Sequence, residues 1–317
     1  MSNAKGNNLF MAKTFLLDVL RGYVIGIAFI IPGFSGGSIA AVLGIYEKLV
    51  GAIADIFKSF IKSIITLLPI GIGMVLGAVS LMFPLKWALS AFPIPTVSLF
   101  VGLTLGALPS ITCKLKGKLK PPYIISFILP TLLAFCLCFI PVAQDRDLGS
   151  VGVLELIPLF LVGILGSCAL VIPGISGSML LLIIGYYNPI LNLITGILSG
   201  ENILNALFVI GAVGAGIATG FFIISVVMKL LLKHFPKGTY FAILGFIIGS
   251  IPSVFISTAK EAGLGMPIIP GTDAPIFRLE NLMPNPLFWI ASVLLLAIGF
   301  IAAFLFVRAA KKIIKKS

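Results

Sequence analysis

A chain of 317 residues, 59% of them hydrophobic and 10% charged, with a mean hydropathy of +1.20, lies outside the range of ordinary soluble folds. Its glycine-punctuated apolar runs have the roughly 17–25-residue length of membrane helices and lack the alternation, in pieces of about 10, that barrel strands need. The formal charge of +12 gives no argument for nucleic acid, because basic residues collect in the cytoplasmic loops of membrane proteins.

The composition therefore predicts an all-α polytopic membrane protein. Residues 1–13 read as an N-terminal cytoplasmic segment; Ser2-Asn3-Ala4 has the look of a tag remnant, and nothing before Leu9 resembles a cleavable signal. A first repeat is expected over 14–121. Its opening segment, 22–57, is apolar but interrupted by Pro32-Gly33-Phe34-Ser35-Gly36-Gly37-Ser38, which breaks a helix where lipid cannot satisfy the freed backbone groups. Arg21 and Glu47 bracket this break. As helix, the stretch between them extends about 37 Å, and a double crossing needs roughly 60 Å. A re-entrant hairpin with its turn at Pro32 to Gly37 is the economical solution; two full helices with buried charged ends are the alternative.

Helices are then predicted at 63–91 and 94–112, followed by a basic loop with Lys114, Lys116, Lys118 and Lys120, and by a membrane helix at 122–141. An extracytoplasmic loop at 142–154 leads into a second repeat over 155–257. That repeat comprises a hairpin at 156–199, broken at Pro173-Gly174-Ile175-Ser176-Gly177-Ser178, and helices at 203–232 and 238–257. A second extracytoplasmic loop at 258–286, a membrane helix at 287–307 and a basic cytoplasmic tail at 308–317 complete the chain. Cys113, Cys136, Cys138 and Cys168 lack histidines at ligand spacing and read as small core residues. His234, the one histidine, lies at a basic helix end between Lys233 and Lys237 and reads as solvated.

Self-comparison decides the organisation. A shift of 141 (163 − 22) aligns Gly22 with Gly163, Pro32-Gly33 with Pro173-Gly174, Ser35-Gly36 with Ser176-Gly177, Gly44 with Gly185 and Tyr46 with Tyr187. A shift of 143 (229 − 86) then aligns Lys86 with Lys229, Phe92-Pro93 with Phe235-Pro236, Gly102 with Gly245 and Gly106 with Gly249. With the N-terminus inside and each hairpin returning to its own side, three crossings separate the copies. This arrangement puts all of the 22 Lys and Arg residues except Lys86, Arg146, Lys260 and Arg278 on the inner side. That bias is the one that orients membrane proteins, so inverted-topology repeats with both termini cytoplasmic are expected.

In such hairpins the returning half-helix starts near the midplane, with unpaired N–H groups and about half a positive charge, a setting that binds anions. Gly33, Gly36, Gly37, Gly174 and Gly177 would allow close approach, and Ser35, Ser38, Ser176 and Ser178 would add hydroxyl donors. A midplane anion cradle open alternately to both faces is the layout of a secondary transporter. Gly and Ser also serve plain helix packing; duplication at mirrored positions favours the binding role. Arg21 either reaches an anion at the entrance or pairs with Glu47 or Asp18. Glu47, whose counterpart is Asn188, is a coupling candidate or an interfacial carboxylate, and the carboxylates in general read as interfacial. Lys86 and Lys229 either guide an anion or snorkel. Tyr46 and Tyr187 line the cavity or sit at the interface. No catalytic or metal-ligating set and no cofactor is expected; a coupling ion, H+ or Na+, is unassigned, as is oligomeric state.

With Ile31-Pro32-Gly33-Phe34-Ser35-Gly36-Gly37, Ile172-Pro173-Gly174-Ile175-Ser176-Gly177-Ser178 and the glycine and tyrosine after each, the chain from about Leu16 to the final helix resembles the bacterial polyprenyl-phosphate transporter family. The resemblance implies a flippase for undecaprenyl phosphate in the bacterial cytoplasmic membrane, recycling the lipid carrier of cell-wall synthesis, with membrane lipid and a polyprenyl phosphate as partners. A transporter of a small soluble anion is the alternative in that class. The chain also shares features with undecaprenyl pyrophosphate phosphatases. Here, though, Gly36 and Gly177 stand where that enzyme motif has arginine, and none of Glu47, Glu155, Glu201, Glu261 and Glu280 forms its Glu-x-x-x-Glu pair. Hydrolysis is therefore not expected.

Overall fold

The computed structural model of the chain describes residues 2–30, 36–115, 119–137, 139–140, 143–174, 177–198, 203–261 and 286–314. In chain order the helices are α1 (Ser2–Ile30), α2 (Gly36–Val42), α3 (Tyr46–Ala54), α4 (Phe60–Ala91), α5 (Pro93–Ala107), α6 (Pro109–Thr112), α7 (Pro121–Leu137), α8 (Leu156–Val171), α9 (Gly177–Ile183), α10 (Tyr187–Leu198), α11 (Ile203–His234), α12 (Pro236–Glu261) and α13 (Pro286–Ile314). Among the described residues, five helices are long and apolar enough to cross a membrane, six if the bent pair α2–α3 counts as one broken or re-entrant span. Ile61, Val75, Leu207 and Val293 on these helices are exposed, as suits side chains whose solvent is lipid.

Three expectations need correction. The helix containing Arg21 begins at Ser2, far upstream of the expected hairpin. The returning limb is also short: α2 ends at Val42, and α3 leaves it at 119°. Glycine is the cause of that bend. Gly44 has a φ of +72°, its N–H bonds the Ala41 carbonyl at 3.1 Å, and the Ile45 N–H bonds Ala40 at 3.0 Å, which is a Schellman turn. The same turn ends α9, where Gly185 has a φ of +77° and Gly185 and Tyr186 bond Leu182 and Leu181. Third, Cys113 and Cys136 are exposed, not core residues; Cys138 and the Cys168 side chain lie outside the described residues.

Packing follows a scheme that occurs twice. α1 packs on α4 and α8 on α11, while α5 packs on α13 and α12 on α7. Glycines bring these backbones together. A methyl group at Gly22 would lie 2.1 Å from the Ile70 carbonyl oxygen, and one at Gly163 2.2 Å from that of Val213. The shifts of 141 and 143 carry the first contact onto the second. Likewise Gly102 and Gly106 abut Leu296 and Phe300, as Gly245 and Gly249 abut Phe127 and Thr131. Close backbone approach of this kind is how membrane helices gain contact energy without a hydrophobic driving force.

One buried cluster sits where the halves meet, joining Ile25, Ala40, Tyr46, Val171, Ile243 and Ala303 among others. Both ends of α11 are tied to loops. Near its start the Asn205 amide donates to the Leu148 carbonyl at 2.7 Å, and near its end Lys229 pairs with Asp55.

Candidate functional site

Of the residues expected to form the cradle, Gly33, Ser35, Ser176 and the Ser178 side chain lie outside the described residues. Gly36, Gly37 and Ser38 form the first turn of α2 and are buried, as are Pro173, Gly174 and Gly177. The first N–H groups of a helix have no partner within it, so the openings of α2 and α9 bring donors into the interior. α2 packs against α1 and α8. Its far end is fixed by the Ser110 hydroxyl, which donates to the Val42 carbonyl at 2.5 Å. Gly174 has a φ of +91° and lies against α12: a methyl group there would be 2.4 Å from the Phe246 carbonyl carbon.

Tyr46 proves to be a strut. Only 3% exposed, it donates its hydroxyl proton to the Val171 carbonyl at 3.0 Å. The residue that follows the first break thus satisfies one of the orphan carbonyls of the helix leading into the second. Tyr187, its counterpart, is half-buried.

The charged candidates separate into three groups. Arg21 pairs with Asp18 at 3.2 Å, not with Glu47, and Lys48 is the second partner of Asp18. Asp18 is 2% exposed, a carboxylate buried within the protein beside its two cations. Its Arg21 contact is legible as an i,i+3 pair on one helix; Lys48 comes from α3 and only the fold brings it in. Glu47 instead accepts hydrogen bonds from Lys114 at 2.7 Å and from the Tyr240 hydroxyl. Lys114 also lies 4.7 Å from the Tyr240 ring centroid and adds a cation–π contact. This knot joins α3, the turn after α6 and α12. Lys229 bonds Asp55 beyond the end of α3, and that ammonium hydrogen bond holds the Asp55 carboxyl below the usual carboxylate range. The Lys86 side chain lies outside the described residues. Asn188, at the position matching Glu47, donates to Asp145 at 3.2 Å.

Among the described residues no group of three or more His, Cys, Asp and Glu side chains could hold a metal ion. A cavity of about 680 Å³ reaches the second break at Ile172 and Pro173. It is walled by α7, α11 and α12, and sequence reasoning did not locate it.

The chain is 30% identical over 293 residues to the polyprenyl-phosphate transporter of Staphylococcus aureus, covering 90% of this chain and 94% of that protein. A polyprenyl-phosphate transporter of Vibrio cholerae is 29% identical over 103 residues, 32% of each chain. No solved structure matches. A family model described as undecaprenyl phosphate translocase-like matches residues 25–264, a span holding both breaks, both Schellman turns and the Tyr46 strut. The chain therefore belongs to the undecaprenyl phosphate translocase-like family.

Proposed function

We propose that this protein is a flippase that carries a polyprenyl phosphate, undecaprenyl phosphate in particular, between the leaflets of the bacterial cytoplasmic membrane for reuse in cell-wall synthesis. The observation that carries the reading is the junction of the two duplicated breaks, where Tyr46 after the first bonds Val171 before the second in a buried setting. Relatives named for polyprenyl-phosphate transport supply the substrate.

The phosphate sits between Gly33–Ser38 and Gly174–Ser178, held by backbone N–H groups and the hydroxyls of Ser35, Ser38, Ser176 and Ser178. The prenyl tail stays in lipid. The doubled glycine contacts support two halves of like build. The ties at opposite ends of α11, Asn205 with Leu148 and Lys229 with Asp55, support their inversion. One half rocks against the other while the phosphate stays near the midplane. Both termini are cytoplasmic, and no bond is broken. Asp18, with two cations, anchors α3 to α1, and the coupling ion is unassigned.

Reconstitution with undecaprenyl phosphate, following its exposure on each leaflet, tests this. The protein is expected to accelerate exchange over empty vesicles without releasing phosphate from the pyrophosphate lipid. Leucine at Ser35 or at Ser176 is expected to abolish exchange in a protein that still folds. Empty-vesicle rates with the unaltered chain would refute the reading, and normal rates in both variants would remove the cradle from it.

A further inference from the structure

The cavity beside the second break differs from its surroundings in chemistry. α7 packs on α12 and α11 on α8, and the space left between α7 and α11 is the cavity. Its floor is α12 from Lys237 to Phe246, a rise of about 14 Å at 1.5 Å per residue. That is close to half the hydrocarbon thickness of a bilayer, about 15 Å. Met228, Ile243 and Phe246 make the inner wall apolar, while His234 and Lys237 stand at the end formed by the α11–α12 turn. Val227, Leu231 and Phe235 line it yet are exposed, so the cavity opens sideways, toward lipid.

Polar groups within it are mostly engaged. The Thr239 hydroxyl donates to the Phe235 carbonyl and the Ser126 hydroxyl to the Pro122 carbonyl, both at 2.8 Å. Lys48, Lys114 and Lys229 each hold a carboxylate, whereas Lys237 has no ion pair among the described residues. A half-buried lysine at one end of a lipid-open apolar slot about one leaflet deep is complementary to an amphiphile with an anionic head.

The matching turn of the other half carries different residues. The shift of 143 carries His234-Phe235-Pro236-Lys237 onto Ala91-Phe92-Pro93-Ile94, which replaces both basic residues with apolar ones. There Phe92 meets Trp87 and Phe288, with ring centroids 6.1 and 5.9 Å away. One architecture thus carries a basic-mouthed slot at one copy of this turn and aromatic packing at the other.

We propose that this cavity docks a prenyl phosphate monoester in the leaflet at the α11–α12 turn, with Lys237 and His234 at the phosphate and the first isoprenoid units along α12. This rests on the reading of the chain as a polyprenyl phosphate transporter. The volume falls within the roughly 300–1,000 Å³ of small-ligand sites, so it takes the head and the beginning of the chain and leaves the remainder in the bilayer. The deep end abuts Pro173, so a docked lipid lies beside the break that its head passes through.

The test uses the full-length protein in lipid nanodiscs with farnesyl phosphate as probe. Lys237→Glu is expected to weaken binding at least about tenfold, or 1.4 kcal/mol, and Lys237→Gln to weaken it less. A photoreactive prenyl phosphate is expected to label peptides carrying Met228 or Phe246, with competition by farnesyl phosphate and none by inorganic phosphate. Unchanged affinity in Lys237→Glu, labelling confined to other helices, or equal competition by phosphatidic acid would overturn the assignment. If the unaltered protein carries polyprenyl phosphate between leaflets while Lys237→Glu binds and carries it equally well, only the cavity assignment fails. If the unaltered protein carries none, the transport reading itself fails.

Discussion

At the scale of single residues, Arg21, Tyr46, Glu47 and Lys229, all singled out in the sequence, hold neighbouring parts of the protein together. Tyr46 is the clearest: replacing it with phenylalanine keeps the ring in its buried niche but strips the Val171 carbonyl of its donor. The expected cost is about 1–2 kcal/mol, the penalty of a buried acceptor left unpaired. It would be read as a lower midpoint of thermal unfolding in detergent, and an unshifted midpoint would mean that the strut bears no load. Tyr46 and its glycine were visible in the sequence as part of a duplicated pattern. The partner was not, because 125 residues separate Tyr46 from Val171 and no local period links them.

Between helices, the glycines that recur in both halves divide into two kinds with different physics. Gly44 and Gly185 hold positive φ angles at the ends of α2 and α9, where a side chain would strain the backbone. Gly102, Gly106, Gly245 and Gly249 have ordinary helical neighbours but no room. Gly245→Ala would force α12 away from α7, and Gly102→Ala would force α5 from α13. A loss of about 1–3 kcal/mol is expected for either, as for other overpacked contacts, measured as reduced thermal stability. The double variant should depart from the sum, because α5 and α12 pack on each other and Leu296, which Gly102 abuts, shares a cluster with Val254 of α12. The sequence shows that these positions match one another, but not which helix each faces. That α5 docks on α13, past the second half, and α12 on α7, between the halves, is a pairing of distant segments.

For the whole molecule, the basic asymmetry and the ties along α11 make the same prediction. Single cysteines placed at Lys62 and at Asn192, in a background without the native cysteines, should react with an impermeant thiol reagent from opposite sides of a sealed membrane. Reaction of both from one side would rule out inverted halves. Asp18 pairs with Arg21 and Lys48, Glu47 with Lys114, and Asp55 with Lys229, so three carboxylates at or near α1 and α3 each hold a cation. At the second hairpin the position matching Glu47 is Asn188, paired with Asp145. The halves therefore share helix contacts and differ in the charged residues at these matching positions.

Hydropathy was enough for the membrane class and for expecting helices at 63–91, 94–112, 122–141, 203–232 and 238–257, which overlap α4, α5, α7, α11 and α12. Each of these depends on composition or on a local period, and lipid imposes those directly on the chain. The 141- and 143-residue shifts likewise needed only the sequence, because a duplication is written residue by residue. Tertiary structure alone decided that α2 is two turns long, that Asp18 is buried with two cations, that Tyr46 braces the opposite half, and that a basic-mouthed slot lies between α7 and α11. Those features arise from contacts between segments far apart in the chain. Their energy depends on distance and burial, neither of which a linear pattern records.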